Sequence, residues 1–300
     1  MRPVHPAVDG CELPDGLTVA HTVSGFRMAV PRDDAVGSHI ARHGFWEIRS
    51  VGELAALAGA TLPHTPGWFF DVGANLGYYS LLFAWVGWRV LAVEPMAANR
   101  RALETSLCLN PRLRDRVTVV SAALSDGTDD ATNVSCIVAS VTTRADHVGG
   151  NGKLFCGANM QCPSTMNGSD ARALVAKVYR FGHMKVPFNT VRMADCDAVR
   201  MLTLDRLAAT HRHLFTASAG VKQRPGIIKF DIEGAECLAL RGGSSLLTGQ
   251  HPLFVQWEGK DKDTDACMRT GMLAHGYRIG TRLGHDRNTV ATLLPKGTGA

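Results

Sequence analysis

Three hundred residues with 45% hydrophobic content suffice for one large α/β domain or two small ones around a real core. Thirty-two basic against 27 acidic residues give a net charge of +5 without a long basic run, which argues against nucleic acid as the partner. Eight cysteines spread along the chain without a C-x-x-C pair indicate neither a zinc ribbon nor a compact disulfide framework; reduced thiols are expected, and Cys156 with Cys162 is a pair that could bridge in an oxidising compartment.

The first residues, Met1 to Gly10, hold no apolar core of the kind a signal peptide needs. Leu81 to Val93 is the most apolar stretch, but Gly87 and Arg89 break it and it is too short to span a bilayer. The expectation is a cytoplasmic protein without a membrane span. Residues 1–66 read as an extension that packs on the core, with a helix over Asp34–His43 and another over Glu53–Ala60. From residue 67 to 300, strands and helices alternate. Strand Trp68–Val72, helix Tyr78–Val86, strand Arg89–Val93, helix Ala97–Asn110 and strand Val117–Ala122 come first. Strand Ile227–Phe230, helix Ala235–Leu247, strand Leu253–Gln256, a helix over Ala266–His275 and strands Tyr277–Ile279 and Thr289–Leu294 complete the series. Such alternation predicts a parallel sheet with crossover helices. Between them, residues 128–200 form an insert rich in Gly, Asn, Ser and Thr, with a helical patch over Ala171–Phe181. A loop this long inside a compact domain is a functional lid or a disordered insertion.

The chemistry gathers at strand ends, where open α/β sheets bind ligands. After the first strand comes the turn Gly73-Ala74-Asn75-Leu76-Gly77, with Asn75 where a dinucleotide fold would carry its second glycine. Asp71 precedes it. A carboxylate there repels a phosphate and attracts an ammonium or sulfonium group, and S-adenosylmethionine has both of the latter and no phosphate. A nicotinamide-dependent oxidoreductase is disfavoured by the same substitution. Glu94 ends the second strand at the spacing of an acid that accepts from ribose hydroxyls, Pro95 stops that strand, and Met96 is placed to lie over an adenine ring. The fourth strand runs into Asp231-Ile232-Glu233-Gly234-Ala235-Glu236, and Glu258 ends the fifth. Glu236 suits a helix-start cap. Asp231, Glu233 and Glu258 are the candidate catalytic carboxylates, since clustered acids raise one another's pKa and one could take a proton from an alcohol. His183 is a weaker candidate base, and His211-x-His213 reads as helix surface without a third ligand. No metal ligand set is assigned.

Asp71-Val-Gly-Ala-Asn-x-Gly, Glu94-Pro95, Ala123-Leu124-Ser125-Asp126, Thr203-Leu204-Asp205 and Ile228-Lys229-Phe230-Asp231-Ile232-Glu233-Gly234-Ala235-Glu236 resemble the FkbM-type methyltransferases, in the same order. The resemblance implies a Rossmann-like class I methyltransferase: a mostly parallel seven-stranded sheet with helices on both faces and an antiparallel last strand. It implies S-adenosylmethionine as cofactor, held by Asp71, Gly73, Ala74, Asn75, Gly77, Glu94 and Met96, with backbone at Ala123 and Leu124 bordering the adenine. It also implies O-methylation of a hydroxyl on a small molecule or sugar, a glycan included. An N- or carboxyl-methyltransferase, or a cofactor-binding module without turnover, are the alternatives. The insert matches nothing in the family pattern.

Overall fold

Strand β5 (Trp68–Val72) is buried at every position, as a strand covered on both faces must be. The computed structural model describes residues 7–8, 10–128, 134–142, 152–158, 161–162, 192–215, 224–259, 261–280 and 288–294. Short strands β1 (Ala7–Val8) and β2 (Cys11–Glu12) come first, then the hairpin of β3 (Leu17–His21) and β4 (Arg27–Pro31). Helices α1 (Ala35–His43) and α2 (Val51–Leu57) follow, capped by Asp34 and Ser50. After β5 come α3 (Tyr78–Trp85), β6 (Arg89–Val93), α4 (Ala97–Leu109), β7 (Val117–Val120) and β8 (Ala123–Leu124). Strands β9 (Val134–Thr142), β10 (Gly152–Ala158) and β11 (Arg192–Val199) belong to the insert. The chain then runs through β12 (Met201–Leu202), α5 (Leu204–Thr210), β13 (Gly226–Phe230), α6 (Glu236–Arg241) and α7 (Ser244–Gln250). Strand β14 (Phe254–Glu258), α8 (Lys262–Ala274), β15 (Tyr277–Ile279) and β16 (Asn288–Leu293) close the series.

The main sheet has the order β15-β16-β14-β13-β5-β6-β7, and only β16 runs against its neighbours. This is the mostly parallel, seven-stranded Rossmann-like sheet expected. Successive strand residues point to opposite faces, so Phe69, Val90, Ile227 and Phe254 join α1 to α4 in one core. Trp68, Phe70, Leu91, Ile228 and Val255 join α5 to α8 in the other. The N-terminal residues lie along α4: the amide of Arg27 donates to Asn110 Oδ1 at 3.1 Å, that of Ala29 to Ser106 Oγ at 2.9 Å, and Cys11 is bonded to Cys108.

Three expectations need correction. The helix predicted over Ala235–Leu247 is two helices, because Asp205 at the start of α5 accepts from the amides of Ser245 and Leu246 at 3.0 and 2.7 Å and so starts α7 afresh. The described part of the insert is neither loop nor disorder. It holds an antiparallel sheet of order β10-β9-β11, while the patch over Ala171–Phe181 and His183 lie outside the described residues. The cysteines are not reduced thiols, and Cys156 does not pair with Cys162. All eight are bridged, as Cys11–Cys108, Cys136–Cys156, Cys162–Cys196 and Cys237–Cys267. Sequence distance concealed these partners; the β9–β10 register, for instance, sets Cys136 opposite Cys156.

Burial also predicts an alkaline weakness. Burial pushes the Tyr78 hydroxyl up to about 12 and raises those of Tyr79 and Tyr277 as well. Unfolded tyrosines ionise near their ordinary value of about 10, so the unfolded state loses protons first and stability falls as pH rises above that value. Chemical denaturation across this range should show the loss. Tyr78→Phe should make it shallower, and an unchanged slope in that variant would reject the assignment.

Candidate active site

Strand β5 ends at a turn that the next strand holds open. Gly73 and Ala74 donate their amides to Val93 O at 2.9 and 3.0 Å, which bends the chain toward β6. Gly73 has φ of 83°, and a Cβ on it would run into the carbonyl oxygen of Asp231, so the close approach of β13 demands glycine. The amide of Asp231 donates to Val72 O at 2.9 Å. This ladder carries the acids after β13 to the edge of the glycine turn. Gly77 starts α3.

Glu94 is the clamp of the turn. One carboxylate oxygen accepts from the amide of Asn75 at 2.8 Å; the other accepts from the amide of Met96 at 3.0 Å and from Asn99 Nδ2 at 3.3 Å. Burial raises its pKa, while the bonds from Met96, Asn75 and Asn99 oppose the rise. Asp71 is fully buried; Ser80 Oγ donates to its Oδ2 at 2.7 Å, whereas its Oδ1 has no hydrogen-bond partner. Burial raises the pKa of Asp71, and the Lys229 ammonium is the main opposing influence.

Lys229 escaped the sequence reading because it sits inside an apolar strand. Register aligns it with Asp71 on one side and Gln256 on the other, a buried polar row under Tyr79. Its Nζ lies 2.9 Å from Asp231 Oδ2 and 4.9 Å from the centre of the Tyr79 ring, and the Tyr79 hydroxyl donates to Glu47 at 2.8 Å. Burial works against the ammonium, yet Asp231, Asp71 and Glu47 together hold it above the usual lysine range. A lysine between apolar strand residues and two positions before an acid was the available signal, but its partners follow only from strand register.

The segment after β13 folds around Glu236. Its carboxylate accepts from the amides of Ile232 and Gly234 at 3.0 Å each, so this acid holds the loop ahead of α6 instead of capping the helix's own amides as expected. Glu233 takes a φ of 60° in the resulting loop. Asp231, Glu233 and Glu258, each half-buried, converge so that one carboxylate oxygen from each lies within 4.8 Å of the others. Three oxygens at that spacing could receive a proton or ligate a cation, although Asp231 already pairs with Lys229. The remaining residues lie at the other end of the turn. Met96 is 2% exposed, and the amide of Ala123 donates to Arg200 O at 3.0 Å, where β12 pairs in parallel with β8.

The residues around the turn suit a ligand that offers donors and positive charge. Asp71 Oδ1 and Asn75 Oδ1 are buried acceptors without a donor, on either side of Gly73. An ammonium group satisfies such acceptors, and a pyrophosphate does not.

The family model described as the methyltransferase FkbM domain matches residues 71–279. No curated protein matches the chain. Solved structures that are similar include the METTL16 methyltransferase domain, at 13% identity over 81% of this chain and 66% of that one, with a TM-score of 0.40. The ribosomal protein L11 methylase of Lactobacillus delbrueckii subsp. bulgaricus shows 12% identity over 80% and 75%, with a TM-score of 0.37. The hMettl16 catalytic domain in complex with the MAT2A 3'UTR hairpin 6 shows 13% over 93% and 88%, also at 0.37. Similarity at this level is partial, and the assignment rests instead on the match across the glycine turn, both acidic strand ends and the sheet that joins them. This chain belongs to the FkbM methyltransferase family, whose members use S-adenosylmethionine as methyl donor.

Proposed function

We propose that this enzyme methylates a hydroxyl group of a small molecule or glycan, with the carboxylates beyond β13 and β14 as its acceptor-side machinery. The observation that supports this is the convergence of Asp231, Glu233 and Glu258 beside the glycine turn. Bound S-adenosylmethionine supplies a methyl carbon already activated by its sulfonium, so positioning accounts for much of the rate. Asp71, Asn75 and Glu94 hold the donor. Glu233 or Glu258 accepts the hydroxyl proton as the new O–C bond forms and the C–S bond breaks, which leaves the methyl ether and S-adenosylhomocysteine. Asp231, neutralised by Lys229, orients rather than deprotonates. Residues 1–66 act as an extension supporting the methyltransferase domain, 67–300, into which the insert at about 128–200 is set.

Glu233→Gln and Glu258→Gln separate chemistry from binding. Each should keep affinity for S-adenosylhomocysteine close to wild type by calorimetry. In whichever carries the base, the transfer rate on an acceptor found by screening hydroxylated metabolites and sugars should fall by about 10²-fold or more. Wild-type rates in both would refute the assignment. Turnover only on amines, carboxylates or RNA would replace the hydroxyl acceptor.

A further inference from the structure

The insert sheet sits on the adenine end of the proposed donor site. Helix α4 has Met96 at its N-cap position and no cap from its own side chains. The acid comes from the insert instead: Asp197 on β11 accepts from the amide of Ala97 at 2.8 Å, across 100 residues of chain. Glycine at 152 lets β10 lie on Met96, since a Cβ there would stand 2.6 Å from Met96 Sδ and 2.8 Å from Val138 Cγ2. Below this contact lie Glu94 and the turn it clamps. Two bridges hold the sheet together: Cys136–Cys156 ties β9 to β10, and Cys162–Cys196 ties β11 to the chain after β10.

We propose that this disulfide-stapled sheet is a fixed wall of the methyl-donor site, closing it over Glu94 and Met96, and that reduction of its bridges opens the wall. The inference rests on the donor placement given above. Each bridge takes two electrons and two protons from a dithiol reductant, giving two thiols while the reductant becomes a disulfide. The enzyme is then complete only where disulfides persist, in an oxidising compartment rather than the cytoplasm.

The test uses the full chain and two readouts. Hydrogen exchange follows residues 94–98, and calorimetry follows S-adenosylhomocysteine, in wild type before and after dithiol treatment, in the double variant Cys136→Ser/Cys156→Ser, and in Asp197→Ala. Opening the wall should speed exchange at 94–98 about 10-fold or more, a loss of roughly 1.4 kcal/mol of local protection, and weaken binding in the same samples. Cys11→Ser/Cys108→Ser, at the far end of α4, should change neither. Eight thiols alkylated in the unreduced protein, or unchanged exchange and binding in the Cys136→Ser/Cys156→Ser and Asp197→Ala variants, would overturn the proposal. Faster exchange in a protein whose wild type binds no S-adenosylhomocysteine would uphold the docked sheet and overturn the function proposed above.

Discussion

Replacing Lys229 by Met should destabilise the protein by about 3–5 kcal/mol, the usual cost of removing one partner from a buried ion pair. The lysine is 4% exposed in a central strand, 2.9 Å from Asp231 and in register with the fully buried Asp71. Without it, Asp71 loses the cation that offsets its burial and must take up a proton to stay inside. A second change that removes the stranded charge should recover part of the loss. Lys229→Met/Asp71→Asn should therefore be more stable than the sum of the single variants predicts, by a coupling of about 0.5–3 kcal/mol. Urea unfolding of the four proteins measures this directly. Additive effects would mean that Lys229 and Asp71 do not share their burial, and the polar row would lose its electrostatic explanation.

Glu94→Ala should damage both fold and binding. Three protein donors lose their acceptor, one of them the Asn75 amide of the glycine turn and another the Met96 amide at the start of α4, and a hydrogen bond to a charged group contributes about 1.5–3 kcal/mol. The melting temperature should drop, and affinity for S-adenosylhomocysteine should fall by about 10-fold or more, because the proposed ribose acceptor and the turn geometry go together. Asp71→Asn should behave differently. The amide keeps the volume of the side chain and an oxygen for Ser80 while removing the charge proposed to meet the donor's ammonium group. Its affinity should fall while its melting temperature stays closer to wild type. Calorimetry at a temperature where all three proteins are folded separates the outcomes. Unchanged affinity in both variants would remove Asp71 and Glu94 from the donor site.

Much of this could be read from the chain because it is local. Five consecutive buried residues before Gly73, the acid at the end of each of two strands and the Asp231–Glu236 block state a strand, a turn and a helix start in adjacent letters. Helix starts at α1 and α3 were legible for the same reason, since a cap or a left-handed glycine acts within one turn. The division of the helix after Glu236 was not, because the acid that starts α7 is Asp205, 40 residues away.

Cysteine pairing and the charge row failed for a related reason. A disulfide needs two thiols close in space, and Cys11 meets Cys108 only after the N-terminal hairpin has packed along α4. Lys229 is a single basic letter until register sets it between Asp71 and Gln256. The sequence by itself determined the parallel α/β class, the glycine turn and the identity of the acids around it, since periodicity and short motifs carry those. Tertiary structure alone decided that the insert closes over Met96, that a buried ammonium neutralises Asp231, and that all eight cysteines are bridged. Each of these depends on groups far apart in the chain, and only the packed sheet brings them within a few ångströms.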